Sequence, residues 1–189
     1  MNYPLPQIQQ HATYQDVLDA PDHMVAELIS GALHLQPRPA ARHGLASSNL
    51  GIEVGGPFGR GHGGPGDWWI VFEPELHLDQ DVLVPDVAGW RKERMPEFPD
   101  SAAIDLAPDW VCEVLSPGTR QFDLTEKRPI YGRAGVQHLW FVDPNARTLE
   151  AFENRDGDWT LIAALKDAED VSVPPFDAIE FPLSALWPD

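Results

Sequence analysis

This chain has a single cysteine and no long apolar run. Its one cysteine, Cys112, cannot form a disulfide within the monomer, and it lies in the apolar segment Trp110 to Leu115. A lone cysteine in such a segment is typical of a small buried side chain in a reducing compartment. No apolar run approaches the roughly 20 residues of a membrane-spanning helix, and Met1 to Gln10 has no signal-peptide pattern. We therefore predict a cytoplasmic protein with no membrane segment.

Basic residues are also scarce, because 13 Lys and Arg stand against 30 Asp and Glu and give a net charge of −17. This charge opposes nonspecific attraction to a polyanion such as DNA. The acids are unevenly distributed: Asp143 to Asp189 has 11 acidic and 3 basic residues, whereas Leu28 to Ile52 contains Arg38 and Arg42 and no acid. Between Gly118 and Arg133 four basic residues outnumber two acidic ones. This segment is compatible with two interpretations, a local basic surface or ordinary solvated charge.

The length and the hydrophobic pattern predict one α/β (α+β) domain over residues 1–189, with extensions at 1–12 and 166–189. Alternating apolar residues and turn pairs predict the strands, and apolar residues at helical spacing predict the helices. The predicted helices are Thr13 to Ala20, Ala41 to Phe58 and Asp123 to Ala134, the last interrupted by Pro129. The predicted strands are Val25 to Ile29, Ala32 to Leu35, Trp68 to Phe72, Glu75 to Leu78, Val82 to Trp90, Trp110 to Leu115, His138 to Val142, Thr148 to Glu153 and Trp159 to Leu165.

Glu113 is an acid inside the most strand-like apolar run of the chain. In a strand its carboxylate shares a face with Val111 and Leu115. If that face is interior, the ionised carboxylate costs several kcal/mol and requires a cation, a proton or hydrogen-bond donors beside it. The alternative is an edge strand with Glu113 at the solvent boundary.

Asp86 is the predicted partner of Glu113 at a metal site. It follows Pro85 within the segment Val82 to Trp90, where a proline removes a ladder donor and favours a bend that directs the acid. Two carboxylates on adjacent strands, with a main-chain carbonyl such as that of Val114, provide the oxygen ligands that Mg²⁺ prefers. We therefore predict Mg²⁺ or Mn²⁺ held by Asp86, Glu113 and Val114.

Lys127 lies four residues after Asp123 and four before Tyr131, so one helix face carries all three side chains. An ammonium group directed at the metal can orient the attacking water and neutralise charge on a phosphoryl transition state. The alternative is a salt bridge from Lys127 to Asp123 on a solvated helix face.

Several segments in this order resemble the Uma-two family, a bacterial group of restriction-endonuclease-like proteins in the PD-(D/E)XK nuclease superfamily. The resemblance covers roughly Thr13 to Leu165. The segments that carry it are VAELISG (Val25 to Gly31), VLVPDV (Val82 to Val87), VCEVLSPGTR (Val111 to Arg120), the helix with Asp123, Lys127 and Tyr131, and AGVQHLWFVDP (Ala134 to Pro144).

The resemblance implies a restriction-endonuclease-like core, with a central bent mixed β-sheet flanked by helices, and a metal-dependent endonuclease that cleaves DNA as a homodimer. It implies that Glu27, Asp86, Glu113 and Lys127 are the catalytic residues. In the superfamily's usual pattern the lysine lies two residues after the second acid, a position that Leu115 occupies here. Activity then depends on Lys127 acting from the next helix.

Four further residues are predicted to assist substrate binding. Arg42 and His43 at the start of a helix and Arg120 in a locally basic segment are candidates for phosphate contacts, and Tyr131 is predicted to brace Lys127. A histidine at a helix start is also common as a surface polar residue.

Two other functions remain compatible with the sequence. The first is a nuclease-fold binding or structural module without activity, which the large negative charge favours. The second is a metal-dependent hydrolase of small phosphoesters, for which no long polyanion must dock. No nucleophile-elbow motif is present, so catalysis through a covalent serine is disfavoured.

Overall fold

β-Strands provide most of the regular secondary structure in the part of the chain that the structure, a computed structural model, describes, which is residues 7–188. Residues 1–6 of the predicted N-terminal extension, together with residue 189, lie outside that range. The strands are β1 (Gln7–Gln10), β2 (Met24–Ile29), β3 (Ala32–Pro37), β4 (Trp68–Phe72), β5 (Glu75–Leu78), β6 (Asp81–Leu83), β7 (Val87–Arg91), β8 (Ala103–Ile104), β9 (Trp110–Val114), β10 (His138–Asp143), β11 (Thr148–Arg155), β12 (Asp158–Lys166), β13 (Asp170–Val171) and β14 (Phe181–Pro182).

Helices are few and mostly short. The α-helices within residues 7–188 are α1 (Tyr14–Leu18), α2 (Ala41–Val54), α3 (Arg120–Phe122) and α4 (Arg128–Arg133). Two π-helical turns, Gly55–Gly59 and Asp123–Lys127, continue α2 and join α3 to α4, and Leu183–Leu186 forms a 3₁₀ turn. The predicted helix Asp123 to Ala134 therefore begins earlier, at Arg120. A π turn, and not a simple kink, precedes Pro129.

Twelve strands form two six-stranded mixed sheets. The strand order is β1-β3-β2-β6-β5-β8 in the first sheet and β12-β11-β10-β9-β7-β4 in the second. Each sheet has one parallel pair, β5 with β8 and β9 with β10, among antiparallel neighbours. The predicted mixed α/β class is confirmed, and the C-terminal hairpin β11–β12 extends the second sheet as expected.

The predicted strand Val82 to Trp90 is wrong in one respect, because it is two strands in different sheets. β6 pairs with β2 and β5 in the first sheet, whereas β7 pairs with β4 and β9 in the second. Pro85 has no amide hydrogen to donate, so pairing stops between the two strands. Asp86 consequently lies in the connection between the sheets and not in the middle of a strand.

The turn between β2 and β3 has the backbone conformation that its Ser-Gly sequence predicts. Ser30 has φ of 52° and Gly31 has φ of 74°. Positive φ at both positions is the conformation of the tight hairpin turn, and its twist matches that of the flanking strands. The turn fixes the register that pairs Glu27 with His34 across the hairpin.

The second sheet is buried on both faces, which explains the continuous apolar run of β9. Trp110, Cys112 and Val114 pack with α2 and the C-terminal segment on one face. Val111 and Leu115 pack on the opposite face with Ile130 and Tyr131 of α4 and with the first sheet. Glu113 shares this second face, as its place in the strand predicts. The interior of the protein therefore surrounds a carboxylate.

No helix within residues 7–188 combines the length and the apolar character needed to cross a bilayer. The predicted cytoplasmic location stays a prediction.

Candidate active site

The largest concentration of buried ionisable groups lies in one pocket between the two sheets. The pocket has a volume of about 440 Å³ and is lined by all four predicted catalytic residues, Glu27, Asp86, Glu113 and Lys127. β2 carries Glu27, the connection after β6 carries Asp86, β9 carries Glu113 and the second π turn carries Lys127. The fold therefore assembles in space the residues that the sequence separates.

Lys127 is the only cation at the centre of this cluster among the described residues. Its Nζ lies 2.7 Å from Glu113 Oε1 and 2.9 Å from Glu27 Oε1, and it donates to the carbonyl of Val84 at 3.3 Å. Asp123 Oδ1 is more distant, at 4.0 Å. Because Lys127 is only 3 % exposed, the alternative of a surface salt bridge to Asp123 is wrong.

The charge state of Lys127 follows from these neighbours. Burial alone lowers the pKa of an ammonium group, but the carboxylates of Glu113 and Glu27 outweigh that effect and hold the pKa of Lys127 well above its usual value. The side chain is therefore a permanent positive charge at neutral pH.

Glu27 is held on both of its oxygens. Oε1 accepts a hydrogen bond from the main-chain amide of Val84 at 2.9 Å, and Oε2 accepts one from Gln36 Nε2 at 3.0 Å. Glu27 is 1 % exposed. Its contacts with Val84, Gln36 and Lys127 join the first sheet to the helix that carries the lysine.

Glu113 lies in the central strand β9 and is 2 % exposed, so the alternative of an edge-strand position is wrong. Tyr131 donates its hydroxyl to Glu113 Oε1 at 2.6 Å, the same oxygen that Lys127 contacts. The predicted contact of Tyr131 with Lys127 is thus replaced by one with Glu113. Burial raises the pKa of Glu113 to about 7, against the opposing effect of Lys127. Both contacts fall on Oε1, which leaves Oε2 for a further ligand.

Asp86 is fixed by a histidine and by the backbone of β9. Its Oδ1 lies 2.5 Å from His43 Nε2, and its Oδ2 accepts the amide hydrogen of Val114 at 2.7 Å. His43 is buried and not a surface residue as the alternative interpretation held. Its other ring nitrogen, Nδ1, has no hydrogen-bond partner among the described residues. The sequence did not indicate that His43 orients Asp86.

Asp123 is a buried carboxyl that joins Glu27, Asp86 and Glu113 in the pocket, and its sequence position predicted no role of its own. It is 4 % exposed and lines the pocket wall. Burial, followed by the nearby carboxylate of Glu113, raises the pKa of Asp123 well above its usual value. The position of Asp123 four residues before Lys127 could have indicated that it belongs to the site, but the same spacing is equally typical of a surface ion pair.

The balance of charge in the pocket favours an added cation. Five carboxyl groups line the pocket, those of Glu27, Glu73, Asp86, Glu113 and Asp123, and of the three cations that line it, Lys127, Arg38 and Arg42, only Lys127 is buried. Within residues 7–188 no three His, Cys, Asp or Glu side chains form a ready-made metal-ligand set. Mg²⁺ does not require one, because it is usually held by one or two carboxylates together with waters and substrate oxygens. The residues present therefore fit a hard divalent cation.

The pocket opens between two exposed segments, Arg38 to Arg42 and Pro117 to Gly118. Arg42 lines this mouth, and its contact with a phosphate stays a prediction. Arg120 instead pairs with Asp143, at 2.5 Å between Nη1 and Oδ2, and lies beside the pocket lining.

Comparisons with known proteins agree with this architecture. A family model described as "Uma2, putative restriction endonuclease" matches residues 11–184. A crystal structure described as a putative nuclease belonging to DUF820, from Anabaena variabilis ATCC 29413, superposes with a TM-score of 0.74. The match has 21 % sequence identity and covers 93 % of this chain and 97 % of that one, so it shows a shared fold. No curated protein matches the chain.

Proposed function

The chain belongs to the Uma2 family of putative restriction endonucleases, and from this we propose a divalent-metal-dependent endonuclease that hydrolyses phosphodiester bonds in DNA. The resemblance found in the sequence is thereby confirmed at the level of the family. The observation that carries the proposal is the convergence of Glu27, Asp86, Glu113 and Lys127 in one pocket. Acidic side chains can hold a divalent ion that activates water and polarises a phosphoryl oxygen, and a lysine beside them can stabilise charge that develops in the transition state.

In this proposal Asp86 and Glu113 hold Mg²⁺ or Mn²⁺, with the main-chain carbonyl of Val114 as a further oxygen. Support comes from their carboxylate oxygens, which are the ligand type that Mg²⁺ prefers, and from the three buried carboxyl groups of the pocket, which outnumber its one buried cation, Lys127. A divalent ion supplies Lewis-acid charge beside the phosphoryl oxygens when it is bound. His43 orients Asp86, and Tyr131 holds Glu113 through its hydroxyl.

Lys127 acts chiefly as a fixed positive charge next to the scissile phosphate. An ammonium group has three hydrogens, and the three acceptors around Nζ are Glu113, Glu27 and the carbonyl of Val84. The contact with Val84 is the longest, so it is the one that a substrate oxygen or the attacking water displaces. Glu27 is a positioning residue in this scheme, because it holds Lys127 and not the substrate.

Arg42 at the mouth of the pocket is proposed to contact a phosphate next to the scissile one. A homodimer, which the family resemblance implies, stays a prediction.

Plasmid cleavage tests the proposal. Purified protein with Mg²⁺ or Mn²⁺ is expected to nick supercoiled plasmid, and Glu113→Gln, which removes a proposed metal ligand, is expected to lower the rate by at least about 10²-fold, the upper end of the effect of losing an outer-shell partner of a metal. Glu97→Gln, which changes an exposed acid outside the pocket, is the matched control and should retain activity. Cleavage that Glu113→Gln retains in full would contradict the assignment of the site.

Calorimetry tests the metal step separately. Titration of Mn²⁺ into the protein should give a binding isotherm that Asp86→Asn weakens strongly and Glu97→Gln does not change, since only Asp86 lies in the pocket. An isotherm unchanged by Asp86→Asn would remove the proposed ligand. Metal binding without cleavage of any nucleic acid would favour an inactive module of the same fold.

A further inference from the structure

Asp123 is the buried carboxyl of the pocket that the proposed function leaves without a role. The residue is 4 % exposed and lines the pocket. Its carboxyl oxygens form no hydrogen bond with any residue in the described range, and Lys127 Nζ, at 4.0 Å, is beyond hydrogen-bond distance. A carboxylate buried in this way is costly unless a donor joins it. The arrangement therefore points to a partner that enters the pocket.

The other carboxyl groups of the pocket are already engaged. Both oxygens of Glu27 accept hydrogen bonds, and each oxygen of Asp86 has a polar contact. Glu113 has two donors on Oε1, and its Oε2 is left for the proposed metal. Glu73 lies at the exposed mouth in an ion pair. Asp123 is therefore the pocket carboxyl whose acceptor capacity neither the described residues nor the proposed ion uses.

The two basic side chains nearest to these acids are unsuited to take a proton from a water in the pocket. Lys127 stays protonated, because the carboxylates around it raise its pKa well above the usual value, so it has no lone pair to offer. His43 contacts Asp86 through Nε2, and its Nδ1 is buried. By exclusion, Asp123 is the group that faces the pocket and can accept a proton there.

The space between Asp123 and Lys127 fits one water molecule. Nζ and Oδ1 are 4.0 Å apart, so a water can form hydrogen bonds of about 2.7–2.9 Å with both. Lys127 can turn one of its three hydrogens toward this water, because its contact with the Val84 carbonyl is long, at 3.3 Å. The pocket volume of about 440 Å³ is ample, since a water occupies about 30 Å³. Such a water accepts from the ammonium group and donates to the carboxylate.

From this geometry and from the exclusion of the other groups, we propose that Asp123 is a further catalytic residue, which together with Lys127 binds the attacking water and accepts a proton from it. The inference rests on the proposed nuclease function. One O–H bond of the water breaks, its proton passes to a carboxylate oxygen of Asp123, and the water oxygen forms a bond to phosphorus. The P–O bond to the leaving sugar oxygen breaks, and that oxygen takes a proton from solvent. The products are a phosphomonoester end and a hydroxyl end, and Asp123 returns its proton to solvent.

The buried position of Asp123 supports this role. Burial raises the pKa of its carboxyl well above the usual value, so the ionised form binds a proton more strongly than an exposed carboxylate does. Proton transfer to a positioned side chain contributes about 10²–10⁴-fold to a rate. Assays at pH 8.5 favour the ionised form.

Single-turnover nicking of supercoiled plasmid, with Mn²⁺ and protein in excess, gives the first test. Asp123→Asn should lower the rate by at least about 10²-fold. Glu126→Gln, which changes an exposed acid on the same π turn, is the matched control and should retain the rate. If Asp123→Asn retains the rate while Glu113→Gln is slow, the inference is overturned and the nuclease function stands. If the natural protein cleaves nothing, the nuclease function fails and the inference with it.

Two measurements on Asp123→Asn separate proton transfer from metal binding and from folding. The substitution removes a buried charge and keeps the shape of the side chain, so the melting temperature in EDTA should not fall. In calorimetry with Mn²⁺ it should weaken binding far less than Asp86→Asn does. Equal losses of Mn²⁺ affinity in the two variants would make Asp123 a metal ligand and overturn the inference.

Rescue of Asp123→Ala by small anions tests proton acceptance itself. Alanine removes the carboxylate, and formate can take its place beside Lys127. Formate should raise the nicking rate of this variant at least about tenfold, whereas nitrate, a planar anion of the same charge but a far weaker base, should not. The natural protein at the same anion concentrations is the control for effects on the metal or the DNA. Absence of rescue by formate, or equal rescue by nitrate, would overturn the inference, because Asp123 would then supply only charge or volume.

Discussion

Replacing Glu113 by glutamine is expected to stabilise the metal-free protein at alkaline pH while it removes activity. Burial raises the pKa of this carboxyl from 4.5 to about 7, so between these values the folded state holds a proton that the unfolded state has lost. Stability therefore falls as pH rises through this window, and the loss is complete above pH 7. At 1.36 kcal/mol per pKa unit the loss amounts to about 3 kcal/mol.

Glutamine at position 113 has no charge to desolvate, and it retains an oxygen that can accept the Tyr131 hydrogen bond. It also leaves Lys127 with Glu27 at 2.9 Å and the more distant Asp123 at 4.0 Å as its neighbouring carboxyl groups. At pH 8 we expect the melting temperature of Glu113→Gln to exceed that of the natural protein by roughly 6–12 °C, from the usual 2–4 °C per kcal/mol for a chain of this size. At pH 5 we expect the two to melt within a few degrees of each other.

Thermal unfolding in EDTA, followed by circular dichroism at both pH values, measures this difference. Asp123 has a raised pKa in the same pocket, in part because of Glu113, so the difference between the two proteins reports Glu113 together with its effect on Asp123. Addition of Mn²⁺ at pH 8 should then stabilise the natural protein and have little effect on the variant. A change in melting temperature of the same size at pH 5 and pH 8 would refute the reasoning, because it would show a packing effect with no charge on Glu113.

Two further substitutions test how the site is built. Lys127→Met should lower the free energy of unfolding in urea by about 3–5 kcal/mol, because it leaves Glu27 and Glu113 buried without their cation. Adding Glu27→Gln to this variant should recover part of the lost stability. Strictly additive effects of the two substitutions would contradict the coupling between the residues. Gly132→Ala should lower the free energy of unfolding by about 1–3 kcal/mol, because a Cβ on Gly132 would lie 2.9 Å from the carbonyl oxygen of Gly157 and 3.1 Å from Trp159 Nε1. Gly56→Ala is the control, because a Cβ on Gly56 would meet open space. Equal stabilities of the two variants would contradict the predicted close packing around Gly132.

Local sequence patterns predict the parts of the fold that depend on neighbours along the chain. The β2–β3 hairpin follows from a polar-glycine pair between two short apolar segments, and the buried position of Glu113 follows from the apolar run around it. Lys127 and Tyr131 are on one buried helix face because they are four residues apart.

Features that depend on tertiary contacts cannot be predicted from local sequence patterns. The contact between His43 and Asp86 joins residues 43 positions apart, and no local pattern distinguishes such a histidine from a surface residue. The division of Val82 to Trp90 between two sheets depends on which strands lie beside each half. Gln36, which holds Glu27, looks like an ordinary polar residue of a half-buried strand.

The π turn at Asp123–Lys127 changes the directions in which the side chains before it and after it leave the helix axis, relative to an uninterrupted α-helix. A π turn holds one more residue than an α-helix would. The first end can thus place Phe122 4.6 Å from the ring of His34, while the second places Tyr131 against Glu113. Deletion of one residue, such as Thr125, would restore regular α-helix spacing but rotate one end by about 100° relative to the other. The extra residue therefore sets the directions of Phe122 and Tyr131 relative to each other, and an insertion or deletion in this helix would separate one of the two from its partner.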